Sequence, residues 1–209
     1  MSMRTSWGYT LADVDVLPGI LSSDEYDDFT DGKYIYDTKR SRANIQAAEA
    51  AIRNYCGWHI APSLVCKLST SFYDKRLSRN GDYLLIQIPA TYVSDVRYVT
   101  IGDKDYDTFV LDPSGILRVP GINWGCVRPY TLVEVEYEAG ISDSMAAGLK
   151  ELIAHRVTHA MASTSGVQSE SVGGVSVTYN ANWTNSARAT ALADDNKEVL
   201  SPYRLRGVF

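Results

Sequence analysis

The sequence predicts an α+β fold in which a helical bundle frame is interrupted by a small antiparallel β insertion, shaped as a sandwich or a barrel. Apolar residues recur with helical spacing over residues 38–56 and 142–163, whereas residues 59–140 alternate between apolar and polar positions. Blocks of helix and strand that follow one another are typical of α+β domains. The pattern divides the chain into an acidic N-terminal segment, a helical core in two parts, a β insertion and a tail, at residues 1–36, 37–58 with 141–200, 59–140 and 201–209.

The composition narrows the class of protein. Of 209 residues, 45% are hydrophobic and 22% are charged, and the formal net charge is −5. This charge argues against a DNA-neutralising surface, which needs clustered Lys and Arg. No apolar run approaches the roughly 20 residues of a membrane helix, and the N-terminus lacks a signal-peptide pattern, so we expect synthesis in a cytoplasm and no membrane contact. Three cysteines without a CxxC spacing are expected to be free thiols.

The N-terminal segment is distinguished by its charge. Residues 13–31 contain seven acids and no base. Pro18-Gly19 interrupts any helix there, because proline lacks the amide hydrogen that a helix interior needs. We expect an acidic surface segment.

The first long helix is predicted over residues 38–56, with Asp37 as its N-cap and Gly57 after its end. One face is apolar and consists of Ile45, Ala48, Ile52, Tyr55 and Cys56. The opposite face is polar and consists of Arg42, Gln46, Glu49 and Arg53. Glu49 and Arg53 are spaced for an i,i+4 ion pair worth ~0.3 kcal/mol. The sequence therefore predicts a helix that packs on one side.

The β insertion is predicted from runs of β-branched and aromatic residues. The clearest strands lie at residues 83–88, 92–101, 109–111 and 132–138, among about six short strands in all. Turn sequences rich in Gly, Asp, Asn and Pro separate them. The last of these strands alternates cleanly, with Val133, Val135 and Tyr137 facing inward and three glutamates facing outward.

The chain then returns to helix. Ser142 or Asp143 is expected to cap a helix that reaches about residue 163, with an apolar face of Met145, Leu149, Leu152, Ile153, Val157 and Ala160. Arg156 falls near the middle of this face, so it needs a carboxylate, backbone carbonyls or a subunit boundary. Gly173-Gly174 between two alternating runs predicts a β-hairpin at residues 169–179. A final helix is predicted over residues 185–200.

The tail carries residues that are common in interfaces. Tyr203, Leu205 and Phe209 alternate with Arg204 and Arg206. Tyrosine and arginine are enriched among the residues that dominate binding energy. Pro202 is expected to stop the preceding helix and to free the tail, so we predict that the tail docks on a partner.

The sequence offers little evidence of catalysis. His155 and His159 have metal-ligand spacing, but the residue after His155 is Arg156 rather than the glutamate of a zincin, so we expect ordinary boundary histidines. His59 is expected to have a structural role. A calcium loop that starts at Asp27 fails, because Phe29 and Thr38 occupy ligand positions. We predict no catalytic residue, metal or cofactor.

Taken in order, several fragments resemble head-to-tail connector (adaptor) proteins of tailed bacteriophages. Residues 51–62 (AIRNYCGWHIAP) resemble the end of that family's first long helix. Residues 135–140 (VEYEAG) are similar to the strand that returns its chain to helix. The likeness continues through other segments, namely residues 84–99, 106–124, 169–179 and 200–204. Residues 1–36 match least.

The resemblance implies a structural protein of the virion neck and no enzyme. It implies a ring, usually of twelve copies, that sits beneath the portal protein, extends the DNA channel without binding DNA specifically, and meets a stopper or tail-completion protein. Related adaptors dock on the portal through their C-terminal ends. This implies portal contacts for Tyr203, Arg204, Leu205, Arg206 and Phe209.

Within such a ring, helices 38–56 and 142–163 are candidates for the subunit contact, with Arg156, Arg53 and Glu49. Other residues are candidates for the channel or a neighbouring copy, namely Asp24, Asp27, Asp28, Gly173 and Gly174. An acidic channel would repel phosphates and let DNA slide. The alternative for the acidic stretch is a solvated loop.

Two other classes of function remain open. A carbohydrate- or ligand-binding β module with helical flanks could use tryptophans as a stacking platform, although Trp7, Trp58, Trp124 and Trp183 are scattered along the chain. A small hydrolase could use the histidines.

Overall fold

The structure is a computed structural model that describes residues 2–32, 39–125, 127–162, 169–172, 175–178 and 194–205. These residues form four helices and antiparallel sheets, so the predicted α+β class is confirmed. A helical bundle as the frame remains a prediction. The chain forms two compact units, Met1–Pro18 with Cys56–Ser142 and Tyr203–Phe209, and Gly19–Tyr55 with Asp143–Pro202. The boundaries of these two units differ from those of the predicted domains, and the predicted division into domains remains a proposal.

The described residues of the first unit form ten strands in two antiparallel sheets. Their bounds are β1 Met3–Arg4, β2 Thr10–Leu11, β3 Leu64–Ser71, β4 Leu77–Asn80, β5 Tyr83–Gln87, β6 Val93–Ile101, β7 Lys104–Asp105, β8 Val110–Leu111, β9 Ile116–Val119 and β10 Leu132–Ala139. One sheet has the order β1-β2-β3-β10-β6-β7 and the other has the order β4-β5-β9-β8. In the part of the chain described, these are two open sheets rather than one closed barrel.

Strand β10 lies at the centre of the larger sheet. The inward positions predicted for it are confirmed, since Val133, Val135 and Tyr137 are fully buried. It pairs with β3 from Leu132↔Ser71 to Ala139↔Leu64, and its other edge pairs with β6. Its outward glutamates form surface ion pairs with Lys67 of β3 and with Arg97 of β6.

A close crossing of backbones follows β10. Gly140 has a φ of 133°, and a Cβ there would clash with the carbonyl oxygen of Pro62. Only glycine fits this approach. The amide of Ile141 then donates to the carbonyl of Ile60 at 2.8 Å. The start of the β region and its end are thereby held together.

The second unit holds the helices. They are α1 Ser23–Phe29, α2 Lys39–Cys56, whose last residue belongs to the first unit, α3 Ala147–Ala162 and α4 Asp194–Leu200, which a 3-10 turn Ser201–Tyr203 follows. Helix α2 is confirmed, and its apolar residues Ile45, Ala48 and Ile52 are buried. Asp37 lies outside the described residues. The hairpin is also confirmed, because β11 Ser169–Val172 pairs with β12 Val175–Thr178. Gly173 and Gly174 lie outside the described residues.

Two helix starts differ from the prediction. Helix α1 was not predicted, yet Ser22 and Glu25 form a capping box at its N-terminus. Helix α3 begins at Ala147 rather than at residue 142 or 143, because residues 143–146 form a turn and the Asp143 carboxylate bonds to Lys150. Met145 therefore lies in the turn, 50% exposed, and not on the apolar face.

The burial of the larger sheet gives a matched pair of substitutions. Leu68→Ala in β3 removes a fully buried side chain, and we expect a loss of about 3 kcal/mol in the free energy of unfolding. Leu132→Ala in β10 removes a side chain that is 45% exposed, and we expect a loss of less than ~1 kcal/mol. Urea denaturation measures both. Equal losses would contradict the described sheet.

Candidate functional site

The described part of the tail is held against its own chain. The Trp58 indole donates to the carbonyl of Tyr203 at 2.6 Å, and the amide of Leu205 donates to the carbonyl of Cys56 at 2.9 Å. The second bond satisfies a carbonyl at the end of α2 that would otherwise have no helical partner. We call this contact of Tyr203–Leu205 with Cys56–Trp58 the tail seat.

Aromatic rings complete the tail seat. The Tyr203 ring lies 6.1 Å from Tyr92, which in turn stacks on Trp58 with 6.3 Å between centroids. Leu205 lies beside Gly57, whose φ of 80° suits a glycine after a helix. Arg204, between the two seated residues, is exposed.

The tail seat corrects one prediction and leaves another open. Helix α4 ends at Leu200, as expected from Pro202, but the prediction that the tail is free is wrong for residues 203–205. Hydrogen bonds and ring contacts hold them. Portal contacts for Tyr203, Arg204 and Leu205 remain predictions, and Arg206 and Phe209 lie outside the described residues.

A buried polar network supports the tail seat. His59 Nδ1 accepts from the Tyr9 hydroxyl at 2.8 Å, and Nε2 donates to the Ala139 carbonyl at 2.9 Å. The Tyr9 hydroxyl also accepts from the His59 amide at 3.1 Å. His59 is fully buried. Both ring nitrogens are therefore engaged, and the role of this imidazole is structural.

The i,i+4 ion pair predicted for Glu49 and Arg53 on the polar face of α2 is confirmed, and this face is covered by the chain. Each is only 5% exposed. The Glu49 carboxylate accepts the amides of Ile20 and Leu21 at 2.7 and 3.0 Å, because residues 19–21 cross this face of the helix. Arg53 lies 3.7 Å from the same carboxylate. Burial raises the pKa of Glu49, and the two amides and Arg53 oppose the rise only in part.

Arg156 is buried in α3, and burial lowers the pKa of its guanidinium. It is engaged within the chain. His155 and His159 on the same helix are both exposed. In the part of the chain that the structure describes, no group of three or more His, Cys, Asp or Glu side chains could hold a metal ion. Contact of Arg156, Arg53 or Glu49 with a second subunit remains a prediction.

The acidic residues Asp24 and Asp28 are exposed on α1, and Asp27 is half-buried. Beside them is a cavity of about 610 Å³, lined by Glu25, Asp28, Phe29, Asp143, Ser144, Ala147 and Lys150. We call it the acidic cleft. The Lys150 ammonium is buried and binds Glu25 and Asp143. The hydrogen bond from Lys150 lowers the pKa of Glu25.

An aromatic surface that the sequence did not reveal lies at one end of the larger sheet. Tyr73 follows β3, Tyr130 precedes β10, and the pairing of Leu132 with Ser71 brings these two chain ends together. The exposed fractions are 76% for Tyr73, 87% for Tyr130 and 45% for Leu132. We call these three residues the tyrosine patch. Clustered exposed apolar side chains are typical of interaction sites.

A carboxylate clamp fixes the loop that carries Tyr73. Asp74 accepts hydrogen bonds from the Arg76 guanidinium at 2.9 Å and from the Thr70 hydroxyl at 2.7 Å. Burial would raise the pKa of Asp74, but the hydrogen bonds from Arg76 and Thr70 outweigh burial and lower it to about 2. The loop conformation is therefore set within the chain.

The described tryptophans do not share a platform. Trp7 stacks on Tyr9, and Trp58 is buried against Tyr92. Trp124 packs edge-on against Phe72. Trp183 lies outside the described residues. This gives no support to a carbohydrate-binding surface built from tryptophans.

Comparison with known proteins decides the family. The family model for head completion proteins matches residues 19–204. The chain belongs to the head completion protein family. No curated protein matches it.

Membership of the head completion family gives the protein a structural role at the head-tail junction of a bacteriophage. It also argues for a structural protein rather than an enzyme. The resemblance of the sequence to phage connectors is confirmed. Within the described residues, the helices lack the length and apolar character needed to cross a membrane.

The burial of Glu49 predicts a large effect of its removal. Glu49→Ala leaves two buried amides and the Arg53 guanidinium without this carboxylate, so we expect a loss of about 3 kcal/mol in the free energy of unfolding. Gln46→Ala, an exposed position on the same helix, should cost less than ~0.5 kcal/mol. Denaturant titration distinguishes them. A Glu49→Ala variant as stable as Gln46→Ala would place Glu49 on a free surface.

The Asp74 clamp predicts a dependence on pH. Because the pKa of Asp74 is lower folded than unfolded, its contribution is complete above its ordinary value of 3.8 and is lost as the pH falls toward about 2. We expect Asp74→Asn to melt below wild type at pH 7 and the two melting temperatures to converge at acid pH. Asp103→Asn, at an exposed turn, serves as the control. A constant difference across the titration would refute the clamp.

Proposed function

We propose that this head completion protein is a head-to-tail adaptor, which forms a ring between the capsid portal and the tail or stopper protein and extends the DNA channel. Membership of the head completion protein family supports the proposed position of the ring at the head-tail junction. The tail seat is the observation on which the mode of docking depends. The tail seat fixes the position of residues 203–205 on the folded protein, and residues 206–209 follow from this fixed position.

Anchoring the tail favours docking for an entropic reason. A segment that is ordered before binding loses less conformational freedom when it binds. Tyr203 and Leu205 have intramolecular contacts, so we assign them to positioning the tail. We assign portal contacts to Arg204, which is exposed, and to Arg206 and Phe209, because an arginine can form charge-assisted bonds to carboxylates.

The ring itself needs two different surfaces on each copy, because a closed ring is built from heterologous contacts. Each contact must bury about 800 Å² per partner to be specific. Glu49, Arg53 and Arg156 are too buried to add much of that area. We propose that they stabilise the helices that carry the contact. The acidic residues Asp24, Asp27 and Asp28 fit either a channel lining or a neighbouring copy, and an acidic lining would let DNA slide.

Two truncations separate docking from folding. Deletion of residues 206–209 should keep the melting temperature of the wild type. It should also lower the affinity for portal-bearing heads, by roughly thirtyfold for each deleted side chain that is a binding hot spot. Deletion of residues 203–209 should lower binding and also the melting temperature, because it removes the partners of Trp58 and Cys56.

Co-sedimentation with portal-bearing heads measures docking, and circular dichroism measures the melting temperature. Tyr83→Ala, a half-exposed tyrosine on the smaller sheet, is the control and should behave as wild type in both. Wild-type occupancy after deletion of residues 206–209 would show that these residues do not anchor the protein to the portal.

A further inference from the structure

The tyrosine patch is a built surface rather than a set of loose side chains. Beside Tyr73, the Asp74 clamp fixes the loop, and Phe72 packs edge-on against Trp124 at 5.7 Å. The Arg79 guanidinium lies 4.6 Å from the centroid of the same indole. Tyr130 lies in a turn that the Thr131 amide closes by donating to the Arg128 carbonyl at 2.9 Å. Both tyrosines are thus carried by ordered backbone, which lowers the entropic cost of a contact.

The charges around the tyrosine patch are mainly positive. Lys75 follows the Asp74 clamp and Arg128 precedes Tyr130, and both are exposed. At the neighbouring turn between β6 and β7, Lys104 lies between Asp103 and Asp105, and Asp105 accepts a hydrogen bond from the Thr100 hydroxyl at 2.8 Å. Asp74 itself is neutralised by Arg76. A partner with exposed carboxylates therefore fits this end of the sheet, and a second tyrosine patch does not, because like charges would meet.

The acidic cleft has the opposite properties. Phe29 in its wall is 47% exposed, and Met145 in the adjacent turn is 50% exposed. Asp28 and Asp143 add exposed carboxylates, and the buried Lys150 is already bonded to Glu25 and Asp143. A cavity of about 610 Å³ is of the size that accepts bulky side chains.

We propose that the tyrosine patch of one copy docks in the acidic cleft of the next copy, so that the ring closes by a head-to-tail contact. This rests on the proposed ring. Tyr130 supplies an aromatic anchor, Phe29 and Met145 supply apolar surface, and Arg128 meets Asp28. Both surfaces are amphipathic, their charges are opposite, and neither pairs with itself. These are the requirements of a heterologous interface.

A charge exchange tests the contact. Arg128→Glu and Asp28→Arg should each lower the occupancy of portal-bearing heads by roughly tenfold, because each places like charges together. The double variant restores an opposite pair at every contact and should recover most of the occupancy. Arg4→Glu, at an exposed position on β1, is the matched control and should assemble as wild type. Tyr130→Ala should lower occupancy without lowering the melting temperature.

Crosslinking gives an independent readout. Tyr130→Cys with Phe29→Cys in one chain, oxidised after assembly on heads, should give a ladder of covalent oligomers, and each single variant should not. Single variants that assemble as wild type, a double variant no better than either single, or the lack of a ladder would overturn the interface. If wild-type protein itself fails to assemble on portal-bearing heads, the adaptor function fails as well, so the two failures are distinguishable.

Discussion

The bonds of His59 hold together the parts of the chain on which the first unit depends. Its ring joins Tyr9 of the N-terminal segment to Ala139 at the end of the central strand. His59 itself follows the C-terminal end of α2 at Cys56. Every polar atom of this buried set has a partner, so the loss of any one leaves another unsatisfied at a cost of about 1–3 kcal/mol. These bonds therefore hold the segments that contain Tyr9, His59 and Ala139 in one arrangement.

The fixed position of His59 explains why the tail seat is ordered. Trp58 precedes His59, and its ring is held edge-on against the imidazole at 5.4 Å. The indole hydrogen is thus directed to a fixed point, where the Tyr203 carbonyl accepts it. Arg204, between its two anchored neighbours, is exposed. Such an anchor would add specificity to the proposed docking of the tail, since an anchored segment samples fewer orientations before it binds.

Sequence reasoning succeeded where local pattern and tertiary role agree. The alternation of β10 predicted its buried positions, and the apolar stripe of α2 predicted the face that packs. It missed β3, whose lysine and serines hide its alternation until β10 pairs with it. The Ser22 and Glu25 spacing of a capping box was a readable signal for α1 that the charge of the segment obscured.

The candidate sites were less predictable because they depend on contacts between distant residues. A helical wheel places Glu49 on a polar face, yet residues 19–21 cover that face and use the carboxylate as their acceptor. The register of β3 against β10 brings together the two chain ends that carry Tyr73 and Tyr130. Periodicity reports which way a side chain faces on its own element, and it carries no information about what crosses that face.

The charged residues near the tyrosine patch and the acidic cleft fall into two groups, those paired within the chain and those exposed at the surface. Asp74 beside the tyrosine patch and Lys150 in the wall of the acidic cleft are engaged by partners in their own unit. Asp74 fixes the backbone of its loop, and Lys150 joins α1 to α3 through Glu25. The charges that remain exposed next to them, Arg128 at the patch and Asp28 at the cleft, are of opposite sign. Internal pairs of this kind hold each surface in shape, and the exposed charges then determine which surface can approach it. Rigid, oppositely charged surfaces on one chain favour ordered association over indiscriminate aggregation, because only one of the possible pairings removes both apolar surfaces from water without bringing like charges together.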